Sequence, residues 1–260
     1  MQSPWHHLQI GWERSSPLGG DLGPGQVQEP RYREGMPGGR PRWPCVVFDL
    51  DGTLVDTIGL IVDSYQYAFE TVLGSLEDES RIRAWIGQPL IRAFREASPQ
   101  DAERLYETYL EWNHANTERL IRRYPGIDRL LRDLNGAGVA VAAATSKRRA
   151  SAEMAADLTG LSSHLDVLVT MEDTVLHKPD PEPLLLAVNR LGATPDQAVY
   201  VGDAIVDVQA ARNAGMAAVA VTWGAGVREA LEGMAPDGVA DTVDDLREAL
   251  LPTRAGVVGA

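Results

Sequence analysis

The 260 residues include one cysteine, Cys45. No internal disulfide and no Cys-based zinc cluster can form from it, which fits a reducing compartment. At the start of an apolar run it reads as a small apolar filler, and no His/Asn arrangement recommends it as a nucleophile. Long apolar runs are missing too: none approaches the roughly 18 residues needed to span a bilayer. The first residues lack a basic segment followed by an apolar one, so no signal peptide is expected and the expected location is cytoplasmic. Positive charge is scarce, with 24 Lys and Arg against 37 Asp and Glu, a net charge of -13. Such a chain repels nucleic-acid phosphates and anionic lipids, and no basic cluster reverses that locally. Neither nucleic acid nor membrane is expected as a partner. An anionic substrate would have to be received by a cation or by a few local positive groups.

Hydrophobic content of 44% and charged content of 23% are those of an ordinary globular chain with one sizeable core and an inserted or appended subdomain. Residues 1–42 hold eight Gly and six Pro, a linker or tail composition. His6 and His7 within it read as solvated, and Met36 is a candidate alternative start. From Pro44 onward, continuous apolar runs recur at 45–49, 139–145, 165–170, 198–203 and 217–223. They are the kind of strand buried on both faces of a parallel sheet. Helical stretches at 125–135, 147–160, 181–192, 206–214 and 227–233 alternate with them. The fold class expected is α/β, a doubly wound Rossmann-like parallel sheet. Thr194-Pro195-Asp196-Gln197 and Asp180-Pro181 read as helix starts, and Gly215 as a helix end. Residues 57–124 show helical periodicity (Ile61, Tyr65, Ala68, Phe69, Val72) and no strand-like run. The expected organisation is a tail (1–42), a core domain (43–56 and 125–260) and a helical cap (57–124), with hinges near Asp56–Gly59 and Tyr124–Gly126.

The first strand runs into Asp49-Leu50-Asp51-Gly52-Thr53. Residues i and i+2 of an extended segment share a face, so Asp49 and Asp51 should project together from the C-terminal edge of the sheet, where ligands bind in open α/β folds. Like charges that close ask for a cation, or for one carboxylate to work as an acid; Asp-Gly is also common in plain surface turns. Gly202-Asp203 with Asp207 four residues later brings two more carboxylates to the same edge, where one of them could simply cap a helix. Hard oxygen ligands in that number suit Mg²⁺. Thr145 and Ser146 close the second strand with hydroxyls before a helix, a recipe for holding phosphate that is also an ordinary N-cap. Lys178 lies in HKPDPEP, where prolines limit the freedom of the loop.

DLDGT (49–53), the strand-ending Thr145, Lys178 in KPDPEP and GDAIVD (202–207), in this order, resemble the haloacid dehalogenase superfamily of phosphohydrolases. The resemblance implies that Asp49 is a nucleophile forming an aspartyl-phosphate, that Asp51 is the acid and base, and that Thr145 and Lys178 hold the phosphoryl oxygens. It implies Mg²⁺ on Asp49, the backbone carbonyl of Asp51, and Asp203, with Asp207 a ligand or the holder of a metal-bound water. Asp51 argues for phosphate esters or anhydrides rather than halides, and the lack of lysine in 57–124 argues against a phosphonatase. The body and several cap phrases look most like the phosphoglycolate phosphatase group and its pyrophosphatase relatives; IGQPL (86–90), the Asn113-His114 region, YPG (124–126), VTMEDTVLHKPDPEP (169–183) and VTWGAG (221–226) are similar to the latter. A small phosphorylated metabolite is the implied substrate, with inorganic pyrophosphate as the alternative. Gln88, Arg92, Asn113 and His114 are the cap candidates for substrate contact, each also readable as a solvated or packing residue. A non-catalytic phosphate-binding regulator is the reading from another class, against which Asp49 and Asp51 both speak.

Overall fold

The computed structural model describes residues 41–251. His6, His7 and Met36 lie outside them. In chain order the strands are β1 Cys45–Phe48, β2 Val55–Asp56, β3 Arg122–Arg123, β4 Ala140–Ala144, β5 Val167–Val169, β6 Ala198–Gly202, β7 Ala217–Val221 and β8 Gly238–Ala240. The helices are α1 Ile58–Leu73, α2 Glu79–Trp85, α3 Leu90–Ala97, α4 Ala102–Leu120, α5 Ile127–Gly136, α6 Arg149–Leu158, α7 Glu182–Arg190, α8 Ile205–Asn213, α9 Arg228–Gly233 and α10 Val243–Leu250.

Six strands form one sheet in the order β5-β4-β1-β6-β7-β8, and all five pairings are parallel. β1 is buried on both faces because its side chains alternate between two cores. Val46 and Phe48 meet Leu130 and Leu134 of α5 and Ala152 of α6, while Cys45 and Val47 meet Leu184 of α7 and Val208 of α8. The chain leaves β1 toward β4 and β5, then returns to β6 on the other side. That reversal makes the C-terminal edge of β1 the switch point, where an open α/β sheet leaves a crevice.

Helices α1 to α4 pack on one another around a separate aromatic core of Tyr65, Phe69, Trp85, Phe94 and Tyr109. Burying each such ring contributes roughly 1.5–3 kcal/mol, which explains how short helices such as α2 and α3 hold together. Among the described residues, no helix is long and apolar enough to cross a membrane.

Three local expectations change. Arg122–Arg123 lies in the stretch read as strand-free, yet pairs antiparallel with Val55–Asp56; two charged residues carry no apolar signal, and only their partner makes them a strand. The Thr194 capping box is real, but it opens a single 3-10 turn, Pro195–Gln197, because β6 begins at the next residue. The sixth strand, β8, lies outside the five apolar runs, since only Val239 and Ala240 stand between Gly238 and Asp241. Asp180 does cap α7, accepting from Glu182 N at 3.0 Å, and Gly215 follows α8 at φ 70°.

Candidate active site

At the end of β1 the backbone N–H of Asp49 donates to Val201 O of β6 at 2.8 Å. This fixes the Asp49 carboxylate at the switch point, and the residue is buried. The chain then reverses through Gly52, at φ 80°, a conformation glycine adopts without strain. A side chain there would also collide with the Asp203 carboxylate. Asp203 follows β6, and Asp207 lies in the first turn of α8. Carboxylate oxygens of Asp49, Asp203 and Asp207 come within 4.8 Å of one another, and all three residues are buried.

Each carboxylate is held in place. Asp203 accepts from Thr53 Oγ1 at 2.9 Å and from the backbone N–H of Ala225 at 2.7 Å. Asp207 accepts from Ala204 N at 2.9 Å, so it does cap α8, while its other oxygen accepts from Lys178 Nζ at 2.7 Å. Lys178, itself buried, also donates to Asp49 at 2.8 Å. The Tyr200 hydroxyl accepts from Lys178 at 3.1 Å and donates to Ala144 O at 2.9 Å. Burial, followed by the nearby Asp207 and Asp203, pushes Asp49 well above the usual carboxylate range despite Lys178. Burial and then Asp207 push Asp203 up to about 7. Burial opposes the charge on Lys178, but Asp207 and Asp49 raise it well above its ordinary value, so it stays an ammonium.

Asp51 stands apart from these three. It is half-buried, and Lys147 Nζ donates to both of its oxygens, at 3.0 and 3.1 Å. The expectation that Asp49 and Asp51 face one site is met by the cavity, which both line together with Thr145 and Ser146. The carboxylate cluster itself does not include the Asp51 side chain. Thr145 Oγ1 accepts from Lys147 N at 3.1 Å, and Ser146 Oγ donates across to Gly87 O at 2.8 Å. Of the cap candidates, Gln88 and Asn113 line the cavity, whereas Arg92 and His114 are exposed and do not. Helical periodicity told that α3 and α4 each have a buried face, but not on which side of that face the cavity opens.

Comparison with known proteins bears on what this arrangement is for. The profile of the haloacid dehalogenase-like hydrolases matches residues 46–221. The chain belongs to that family. Among its relatives, the pyrophosphatase PpaX of Bacillus velezensis is 33% identical over 202 residues, 78% of this chain and 94% of that protein. A protein named "Probable phosphatase IndB" from Dickeya dadantii is 39% identical over 211 residues, 78% of this chain and 91% of its own. The crystal structure of a hydrolase from Pseudomonas syringae superposes with a TM-score of 0.71 at 28% identity, covering 78% of this chain and 95% of that one.

The site of this hydrolase fits a divalent cation on its own chemistry. Three buried carboxylates share one ammonium, and the upward push on Asp49 and Asp203 shows that Lys178 alone does not offset their crowding. All-oxygen donors crowded in this way suit Mg²⁺, whose charge would let them ionise together. Lys147 was missed in the sequence, although a signal was there: the chain has only two lysines, Lys147 and Lys178, and both bind carboxylates at this site. The VTWGAG motif gains a role as well. Its Ala225 N–H holds Asp203, and its Trp223 indole donates to Thr53 O at 3.1 Å.

Proposed function

We propose that this hydrolase removes the phosphoryl group from a small phosphorylated metabolite by way of an aspartyl-phosphate on Asp49. The observation that carries the reading is the pairing of a buried carboxylate anchored by Lys178 with a second, more accessible one anchored by Lys147, both on one cavity. A carboxylate oxygen of Asp49 attacks phosphorus, and the bond from phosphorus to the ester oxygen breaks. The leaving oxygen takes a proton from a carboxylate oxygen of Asp51. In the second half, Asp51 takes a proton from water as that water attacks the same phosphorus, releasing inorganic phosphate and restoring Asp49. Lys178 orients the nucleophile, and Thr145 presents its hydroxyl to the phosphoryl oxygens. Asp49, Asp203 and Asp207, with the backbone carbonyl of Asp51, would hold Mg²⁺, which supplies positive charge against the crowding of carboxylates and phosphoryl oxygens.

Relatives named pyrophosphatase support a second reading on the same residues, in which the leaving group is phosphate. The test is phosphate release with Mg²⁺ from phosphate monoesters and from pyrophosphate, with Asp49→Asn as the blank. Turnover by the parent and none by a folded Asp49→Asn is expected. Activity surviving in Asp49→Asn would remove Asp49 as the nucleophile.

A further inference from the structure

The cavity above Asp49, about 110 Å³, has two unlike walls. The core side carries the charge: Asp49, Asp51, Lys147 and Arg148. On the cap side every lining residue is uncharged, and the surface is made chiefly of Ile61, Tyr65, Trp85, Tyr106, Tyr109 and Leu110. Tyr65 packs edge-on to Tyr109 with ring centroids 5.0 Å apart, and against Trp85 at 5.8 Å. Burial raises the phenols of Tyr65 and Tyr109, keeping both neutral. The two cap amides are already engaged, Gln88 donating to Ala84 O at 3.2 Å and Asn113 to Ser64 Oγ at 2.9 Å. The cap's cationic candidates, Arg92 and His114, do not line the cavity. The two cations that do are matched, Lys147 by Asp51 at 3.0 Å and Arg148 by Glu172 at 3.3 Å.

A phosphoryl group seated at Asp49 would therefore direct its leaving group toward an apolar, aromatic wall that carries no charged side chain. A leaving group carrying a carboxylate or a second phosphate would lose water there and meet neutral phenol hydroxyls but no cation. A neutral, flat one would gain ring contacts. Building on the phosphatase reading above, we infer that the preferred substrate is a phosphate monoester whose leaving alcohol is uncharged and carries a small aromatic or apolar ring, rather than an ester with a second anionic group.

The experiment compares kcat/KM of the full chain with Mg²⁺ on benzyl phosphate, ethyl phosphate, phosphoglycolate and pyrophosphate. Benzyl phosphate should lead each of the others by about tenfold or more. Phosphoglycolate or pyrophosphate matching it, or ethyl phosphate doing as well, overturns the inference while leaving the phosphatase reading intact. If a folded protein releases no phosphate from any of them, the phosphatase reading fails, and calorimetry with two non-hydrolysable ligands decides the preference of the wall. Tighter binding of benzylphosphonate than of phosphonoacetate supports the inference, and the reverse order overturns it. Leu110→Arg, which places a cation on the wall at a half-buried position, should move the benzyl-to-phosphoglycolate ratio toward phosphoglycolate by about tenfold. The ratio is read within one protein, so partial misfolding cancels. An unchanged ratio means that the wall does not meet the leaving group and overturns the inference.

Discussion

Replacing Lys178 by methionine keeps most of the volume of the stem but removes the ammonium that touches Asp49 at 2.8 Å and Asp207 at 2.7 Å. Three buried carboxylates would then face one another with no cation. Truncating one partner of a buried ion pair costs about 3–5 kcal/mol, because the remaining charge is left without a partner. A swap that conserves volume adds less than about 1.5 kcal/mol, with no dependence on pH. At about 2–4 °C per kcal/mol for a chain of this size, the melting temperature without metal should fall by about 10 °C at pH 8. The sign of the pH dependence follows from the carboxylates. Asp49 is already well above its ordinary range and Asp203 at about 7, and losing Lys178 raises Asp49 further. A carboxylic acid raised on folding stabilises the fold only while it is protonated, and that contribution is lost as pH climbs from about 4 through the folded value. The penalty should therefore grow between pH 5 and pH 8. Thermal melts followed by circular dichroism in EDTA at both pH values measure it. A parent-like midpoint at pH 8, or a larger loss at pH 5 than at pH 8, would refute the account of Lys178 as the counter-ion of the cluster.

Gly224→Ala would drive its Cβ into the Asp203 carboxylate, whereas a Cβ on Gly59 meets open space. The first should cost about 1–3 kcal/mol and weaken Mg²⁺ binding by calorimetry; the second should leave binding unchanged. Asp173 accepts from Thr170 N at 2.7 Å and from Arg190 at 3.0 Å. Its burial works to raise its pKa, yet these bonds hold it below the ordinary carboxylate value. Its contribution is present above the unfolded value near 4 and is lost as pH falls through the lower folded value. Asp173→Asn should accordingly cost about 1–2 kcal/mol in urea melts at pH 7, with the gap to the parent closing below about pH 4; a gap that widens in acid would contradict this. Cys45 is fully buried, and burial followed by Asp166 pushes its thiol up to about 11. A disulfide reagent at pH 8 should leave it unmodified in the native protein and label it fully in urea.

What the sequence made legible was mostly what one strand or one turn encodes by itself. Val46-Val47-Phe48-Asp49 announces both a buried strand and the carboxylate at its tip. Gly202-Asp203 does the same for β6, and the apolar runs identify three of the other four strands of the main sheet. Pairings between distant segments were not legible. Lys147 and Asp51 lie 96 residues apart, and no local pattern states that one will close on the other. The Ala225 N–H that holds Asp203 belongs to a loop whose composition suggested only a family likeness. Arg92 and His114 show a different limit: a residue next to a buried helical position can border the cavity or face solvent, and spacing along the helix does not distinguish the two. Asp51 shows a third limit. Alternation correctly turned its side chain toward the cavity, but the cation it meets there came from another strand's end.

The rarity of lysine has a practical consequence for handling this enzyme. With only Lys147 and Lys178 in 260 residues, and one of them enclosed between two aspartates, reagents selective for primary amines find few internal addresses on the chain, all of them at the site. Isotope-labelled methyl groups placed on Lys147 by reductive methylation would give a spectroscopic reporter next to Asp51 against an almost silent background. A lysine-directed tag or surface-immobilisation chemistry, routine for most proteins, carries the corresponding risk here of attaching itself at the mouth of the cavity.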